Sequence, residues 1–257
     1  MNPTGSRAEE IPLTPLDRGR AVVLAQRARL LDEVRALTPE QWLTPTECPP
    51  WRVRDMVCHV VAAMDEQRHP HLLVYHAAVG LIRHRGQLLL DALNEAQIDD
   101  RRSASVDTIL ADAARLAPIA FFPSFLHRVP VNDGSLPRRS DIYYLQYVIA
   151  PRDVWMHRHD IARATGMSVT PDPSDTEVVV QVMRDLARSW SGPAVELVLS
   201  GSGGGTFLLG GSGPAPVVAL DVVGFLRHLS GREAGSGWLD TLPPPLARVL
   251  RDARVAF

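Results

Sequence analysis

Pro151-Arg152-Asp153-Val154-Trp155-Met156-His157-Arg158-His159-Asp160 lies within a stretch of helical spacing that runs from about Asp141 to Thr165. At about 100° per residue from Ile142, the residues Gln146, Ile149, Asp153, His157 and Asp160 share an arc of about 80°. Ile142 and Ile149 mark that arc as the inward stripe. A carboxylate and an imidazole placed there are costly unless something compensates them. An Asp and a His one turn apart can bind one metal ion from a single helix face. They can equally satisfy each other as a buried pair, and the spacing alone leaves both readings open. His159 falls on a different face. Pro151 deprives the Tyr147 carbonyl of its helical donor and bends the helix just before Asp153. Ser140 is the expected N-cap and Gly166 the expected stop.

Working outward toward the N-terminus, the chain reads as further helices. Val23, Leu24, Leu30, Leu31, Val34 and Leu37 give a helix over about Leu16 to Leu37. Thr38-Pro39-Glu40-Gln41 has the pattern of a capping box with proline at the first helical position. Three prolines between Thr44 and Pro50 make a loop. A second long helix starts near Trp51 and ends or kinks at Pro70. Val53, Val57, Val60, Val61 and Met64 form its apolar face, and His59 lies off that face, a boundary position by periodicity alone. An apolar-periodic stretch over Leu72–Leu93 precedes the polar group Asn94 to Asp100. Ser103 or Ser105 caps the next helix, and Asn132-Asp133-Gly134 marks a turn in a long loop.

Beyond Gly166 the pattern changes. Val169 to Ser174 is a proline-bearing linker, followed by a helix over about Thr176 to Trp190. Alternating runs at Val195–Leu199 and Thr206–Leu209 read as a hairpin around Gly201-Ser202-Gly203-Gly204-Gly205. A third strand is expected over Pro216–Leu220, then a helix capped by Asp221 and a last helix after Pro243-Pro244-Pro245. The expected architecture is α+β: a helical bundle over residues 1–170 and a small α+β domain over 171–257, with no strand before residue 140.

Composition narrows the function classes. The chain has 257 residues, 46% of them apolar, and a formal net charge of −2, which argues against a nucleic-acid footprint. Its 27 basic residues are all arginine, so neither a Schiff-base lysine nor a P-loop lysine is present. The glycine-rich run sits between strands rather than opening a helix, which is not the phosphate-loop arrangement. Only Cys48 and Cys58 are available, too few for a four-thiolate zinc site. Cys58 reads as a small buried side chain. No signal-peptide core and no apolar run of about 20 residues occurs, so a cytoplasmic protein without a membrane partner is expected.

Pro49-Pro50-Trp51-Arg52-Val53-Arg54-Asp55-Met56-Val57-Cys58-His59 resembles the opening motif of the DinB-like, mycothiol-dependent maleylpyruvate isomerase family. Asp91-Ala92-Leu93-Asn94-Glu95-Ala96-Gln97-Ile98 is similar to a polar signature of that family. Arg152 to Arg158 and Asp160 to Gly166 look like its strongest block. The part beyond Gly166 resembles the sterol-carrier-like domain that such proteins append. The resemblance implies a four-helix bundle holding one divalent metal, usually zinc, through His59, Asp153 and His157. It implies mycothiol as thiol co-substrate and a small electrophile as substrate. A thiolate adds to the electrophile, and elimination after bond rotation gives isomerisation; without elimination an S-conjugate results. Arg232 matches an arginine that the family offers to an anionic substrate. The family's isomerases carry Glu where this chain has Asp153, one methylene shorter, which draws a metal closer to the helix or holds it more weakly. Beside the metal-dependent thiol S-transferase or isomerase stand two other readings, a non-catalytic metal-containing small-molecule binding protein and a hydrolase using metal-bound water. The open coordination position is expected to face a cleft between the two domains.

Overall fold

α1 (Leu16–Arg35), α3 (Val53–Arg68), α6 (Val106–Leu116) and α8 (Ala150–Thr165) pack around one apolar core. The short α2 (Pro39–Trp42) lies between α1 and α3, and a helical hairpin of α4 (His71–Arg83) and α5 (Leu89–Asp100) joins α3 to α6. The structure is a computed structural model that describes residues 6–131, 136–137, 140–211, 213, 215–232 and 237–257. The turn expected at Asn132-Asp133-Gly134 lies outside the described residues. The chain divides into two compact units, Val23–Thr170 and a second formed by the residues up to Val22 with Pro171–Phe257.

In the first unit, Leu30 and Val34 of α1, Met56, Val57, Val60, Val61 and Met64 of α3, Ile109, Ala113 and Leu116 of α6, and Val154 and Ile161 of α8 fill the core. The local signals place the helix ends. Thr38 and Gln41 form the reciprocal capping box of α2. Ser105 Oγ accepts from Thr108 N at the start of α6. The structure departs from the sequence pattern at two points in this unit. The apolar stretch Leu72–Leu93 is two helices, because Gly86 takes a left-handed conformation at φ +93° and reverses the chain. The tight packing of that hairpin needs Gly80, whose added Cβ would stand 2.4 Å from the Ala92 carbonyl oxygen. The final helix is capped by Asp141, not Ser140: Asp141 Oδ1 accepts from Tyr144 N at 2.9 Å.

That final helix is composite. A short α7 (Ile142–Tyr144) leads into a π-helical turn over Leu145–Ile149, and then α8 begins with Pro151 in its first turn. The proline cannot donate, and it follows directly on the turn where the ladder changes register. A π turn winds more slowly than an α-helix, yet Ile142, Gln146 and Ile149 are all buried, as the inward stripe requires. Asp153, His157 and Asp160 all lie beyond it and keep their mutual phase. α8 is pinned to α1 by Arg158. Its Nε and Nη2 donate to the two oxygens of Glu33 at 2.8 and 2.7 Å, and Nη1 donates to Gln26 Oε1 at 2.8 Å. This buried bidentate pair fixes the rotation of α8, and with it the direction of His157.

The second unit carries α9 (Asp175–Ser189), β2 (Val195–Ser200), β3 (Gly205–Leu209), β4 (Val217–Asp221), α10 (Val222–Leu229) and α11 (Pro244–Asp252). With β1 the two-residue strand Ser6–Arg7, the sheet order is β1-β3-β2-β4, with β2 antiparallel to β3 and parallel to β4. β1 (Ser6–Arg7) pairs parallel to Phe207 and Leu208, which overturns the expectation of no strand before residue 140. Two residues carry no alternation to read. The residues up to Val22 accordingly go with this unit rather than with the bundle. Buried Val179, Val182, Met183, Leu197, Phe207, Phe225, Leu226 and Leu250 form its core. The glycine run is explained by packing: a Cβ on Gly203 would stand 2.6 Å from the Asp175 backbone, so only glycine lets the β2–β3 loop approach α9.

Candidate metal centre

His59 on α3 and Asp153 and His157 on α8 converge, with one ligand atom from each lying within 4.8 Å of the others. His157 Nε2 is 3.2 Å from Asp153 Oδ1, and His59 Nε2 is 3.5 Å from Asp153 Oδ2. Both histidines are buried, while Asp153 is half-buried. The two imidazole planes stand edge to face at 5.4 Å between centroids.

Each ring is held from behind. His59 Nδ1 bonds to Gln97 Oε1 at 2.7 Å, and His157 Nδ1 bonds to Asp160 Oδ2 at 3.3 Å. An imidazole that donates from Nδ1 carries its lone pair on Nε2. Both Nε2 lone pairs then face the two oxygens of one carboxylate. Such electron-rich atoms repel unless a cation, a proton or a metal ion, stands among them. Two imidazole nitrogens and a carboxylate suit zinc and similar divalent ions, and acceptors behind the rings are the usual support of metal-bound histidines. The residues therefore fit a divalent metal.

Without a metal, protons take that role. Burial disfavours a charged His157, yet the Asp153 carboxylate and the acceptors on the ring outweigh it and push its pKa up to about 9. Burial likewise raises Asp153, and the facing His157 and His59 overcome this and hold its carboxyl well below the usual range.

Trp51 forms one wall. Its ring centroid lies 5.3 Å from that of His59 and 6.1 Å from that of His157, and its indole Nε1 donates to Glu95 Oε1 at 2.9 Å. The proline-rich loop presents it through Thr46 N to Trp51 O and Trp51 N to Cys48 O bonds.

His59 is buried, against the boundary position its periodicity gives. α3 is central and buries residues on every side, including Cys58, His59, Val60, Val61 and Ala62, so a single-stripe reading fails for it. His76 and His228 are also buried. Gln97, Glu66, His76 and Asp160 surround the site and were not singled out as site residues from sequence. Their contacts cross between helices and leave no spacing signal, except for Asp160, one turn after His157. Arg232 follows Gly231 beyond α10 in the second unit, partly exposed, with its backbone N–H on the Arg227 carbonyl at 3.0 Å. Among the described residues, no helix is long and apolar enough to cross a membrane.

Residues 23–162 match the family model of the mycothiol maleylpyruvate isomerase N-terminal domain. The chain belongs to this family. Two solved structures are similar to it: the mycothiol-dependent maleylpyruvate isomerase and a histidine-to-alanine mutant of that enzyme. Each has 15% sequence identity and a TM-score of 0.50, covering 89% of this chain and 92% of that chain. At that identity the likeness speaks to the fold, and it agrees with the α+β architecture expected from sequence. No curated protein matches the sequence.

Proposed function

We propose that this protein is a metal-dependent, thiol-dependent enzyme, an isomerase or S-transferase that uses mycothiol on a small electrophile. The observation that carries this reading is the convergence of His59, Asp153 and His157, each histidine supported on Nδ1 and offering Nε2. Family membership supports mycothiol as the thiol. Three protein ligands would hold a divalent ion, zinc by the character of the donors, and leave a position for an exogenous group. An ion held there lowers the pKa of a coordinating thiol, so that the thiol is a thiolate at neutral pH.

The chain's own groups do the rest. Asp153 supplies the negative charge of the ligand set, and Asp160 and Gln97 keep both histidines in the ligating tautomer. Trp51 offers an apolar wall beside the ligands, which limits water there and gives a flat surface for an unsaturated substrate. Arg232, as the family resemblance implies, would pair with an anionic group of the substrate through the fork of donors on its guanidinium.

The test is metal analysis of the purified protein, joined to turnover of a panel of electrophiles with mycothiol, glutathione and cysteine. About one divalent ion per chain and turnover with mycothiol support the reading. Metal without turnover of any electrophile favours a binding protein, and turnover that ignores thiol but needs metal favours a hydrolase.

A further inference from the structure

Behind His59 runs a buried polar chain that crosses three helices. Gln97 of α5 accepts from His59 Nδ1 at 2.7 Å, and its own Nε2 donates to Glu66 Oε1 of α3 at 2.8 Å. The same Glu66 oxygen bonds to His76 Nδ1 of α4 at 2.7 Å. Glu66, Gln97 and His76 are 4%, 1% and 1% exposed, so these bonds lie away from bulk solvent. The chain extends toward Asp100, whose Oδ2 is 3.9 Å from His76 Nε2.

We infer that Gln97 is a positioning residue that locks His59 in the ligating tautomer, and that Glu66, backed by His76, sets the direction of the lock. An amide can face a histidine with either its oxygen or its nitrogen, and the two ends demand opposite tautomers. An ionised carboxylate only accepts. Glu66 Oε1 therefore accepts from Gln97 Nε2 and turns the Gln97 oxygen toward His59. His59 must then donate from Nδ1, which leaves the Nε2 lone pair facing Asp153. His76 donates to the same oxygen and holds the carboxylate in place. The bonds from His59 through Gln97 to Glu66 and His76 Nδ1 form a buried polar network whose members polarise one another, and among the described residues His76 Nε2 at its far end has no hydrogen-bond partner. The inference rests on the proposed metal reading for its purpose, but not for its geometry.

The test uses the full chain with 15N-labelled histidine at pH 8, read by the NMR shifts of the ring nitrogens, together with zinc affinity by chelator competition. Wild-type protein freed of metal should show His59 protonated on Nδ1. Gln97→Met, close in volume and lacking an acceptor, should lose that preference and bind zinc about 10- to 100-fold more weakly. The swap Gln97→Glu with Glu66→Gln reverses which member is the carboxylate. The new amide at position 66 gives one hydrogen to the carboxylate at 97 and the other to His76. His59 should then stay protonated on Nδ1, His76 should change tautomer, and zinc affinity should stay within a few-fold of wild type. A purely structural role predicts no selective change at His76. The inference is overturned if wild-type His59 carries its proton on Nε2, if Gln97→Met changes neither tautomer nor affinity, or if the swap releases His59. Failure of wild-type protein to bind zinc, with the tautomer pattern intact, would count against the metal reading alone.

Discussion

Asp153 Oδ1 and His157 Nε2 stand 3.2 Å apart across one turn of α8, and Asp153 turns its other oxygen to His59 at 3.5 Å. One carboxylate thus bridges two histidines from two helices, so the site is built to act as a unit. His157→Ala should abolish zinc binding and mycothiol-dependent turnover together. Metal stoichiometry and rate measured on the same batch check this; a variant without metal that keeps the full thiol-dependent rate would end the proposed mechanism.

The bridging carboxylate should be sensitive to charge before size. Asp153→Asn keeps the volume and removes the charge, so zinc should bind far more weakly. Asp153→Glu keeps the charge and restores the residue that the family resemblance puts there, so it should be tolerated better. Chelator competition should rank wild type and Asp153→Glu well above Asp153→Asn. The reverse order of the two variants would contradict an electrostatic role.

The pH response follows from His157. Its metal-free pKa is raised to about 9, so its protonated form stabilises the metal-free fold at pH below the unfolded value, and that contribution is lost as pH rises through about 9. A metal needs the neutral ring and must displace the proton. Apparent zinc affinity should therefore rise between pH 6.5 and 8.5, by about tenfold per unit where one proton is displaced. Asp153 is already ionised in that range and adds nothing to the slope. A flat profile would show that no ligand proton is lost.

The share of this site legible in sequence depends on how each contact is made. Asp153 and His157 lie one turn apart on one helix, so a wheel finds them, and the π-helical turn just upstream does not disturb their mutual phase. His59 comes from a helix buried on all sides, where periodicity has no stripe to report; only the family motif pointed to it. Gln97, Glu66 and His76 meet across three helices, at separations set by the α4–α5 hairpin, and that hairpin was itself hidden inside one continuous apolar stretch. β1 is invisible for another reason, since two residues paired to a distant strand carry no pattern of their own.

The two cysteines should separate cleanly in reactivity. Burial pushes the Cys58 thiol up to about 11, and its side chain lies within the core. Cys48 is partly exposed, with Sγ 3.9 Å from Asp160 Oδ2. Brief iodoacetamide treatment of native protein should alkylate Cys48 and spare Cys58, which should react only after unfolding. Peptide mapping reads this, and rapid native labelling of Cys58 would mean that the core around α3 opens far more readily than its packing implies.

Arg232 provides the means to separate substrate binding from metal binding. It belongs to the second compact unit, whereas all three candidate ligands belong to the first. Arg232→Ala should accordingly leave zinc stoichiometry unchanged. If the guanidinium holds an anionic group of the electrophile, its loss removes one charge-assisted interaction and should raise the apparent KM by about 10- to 100-fold. Arg232→Lys keeps the charge without the fork of donors and should recover part of that loss for a carboxylate substrate. An uncharged electrophile of the same size should show no dependence on this residue. If Arg232→Ala lowers metal content, or slows charged and uncharged substrates equally, the residue supports the fold of its own unit and does not read the substrate's charge.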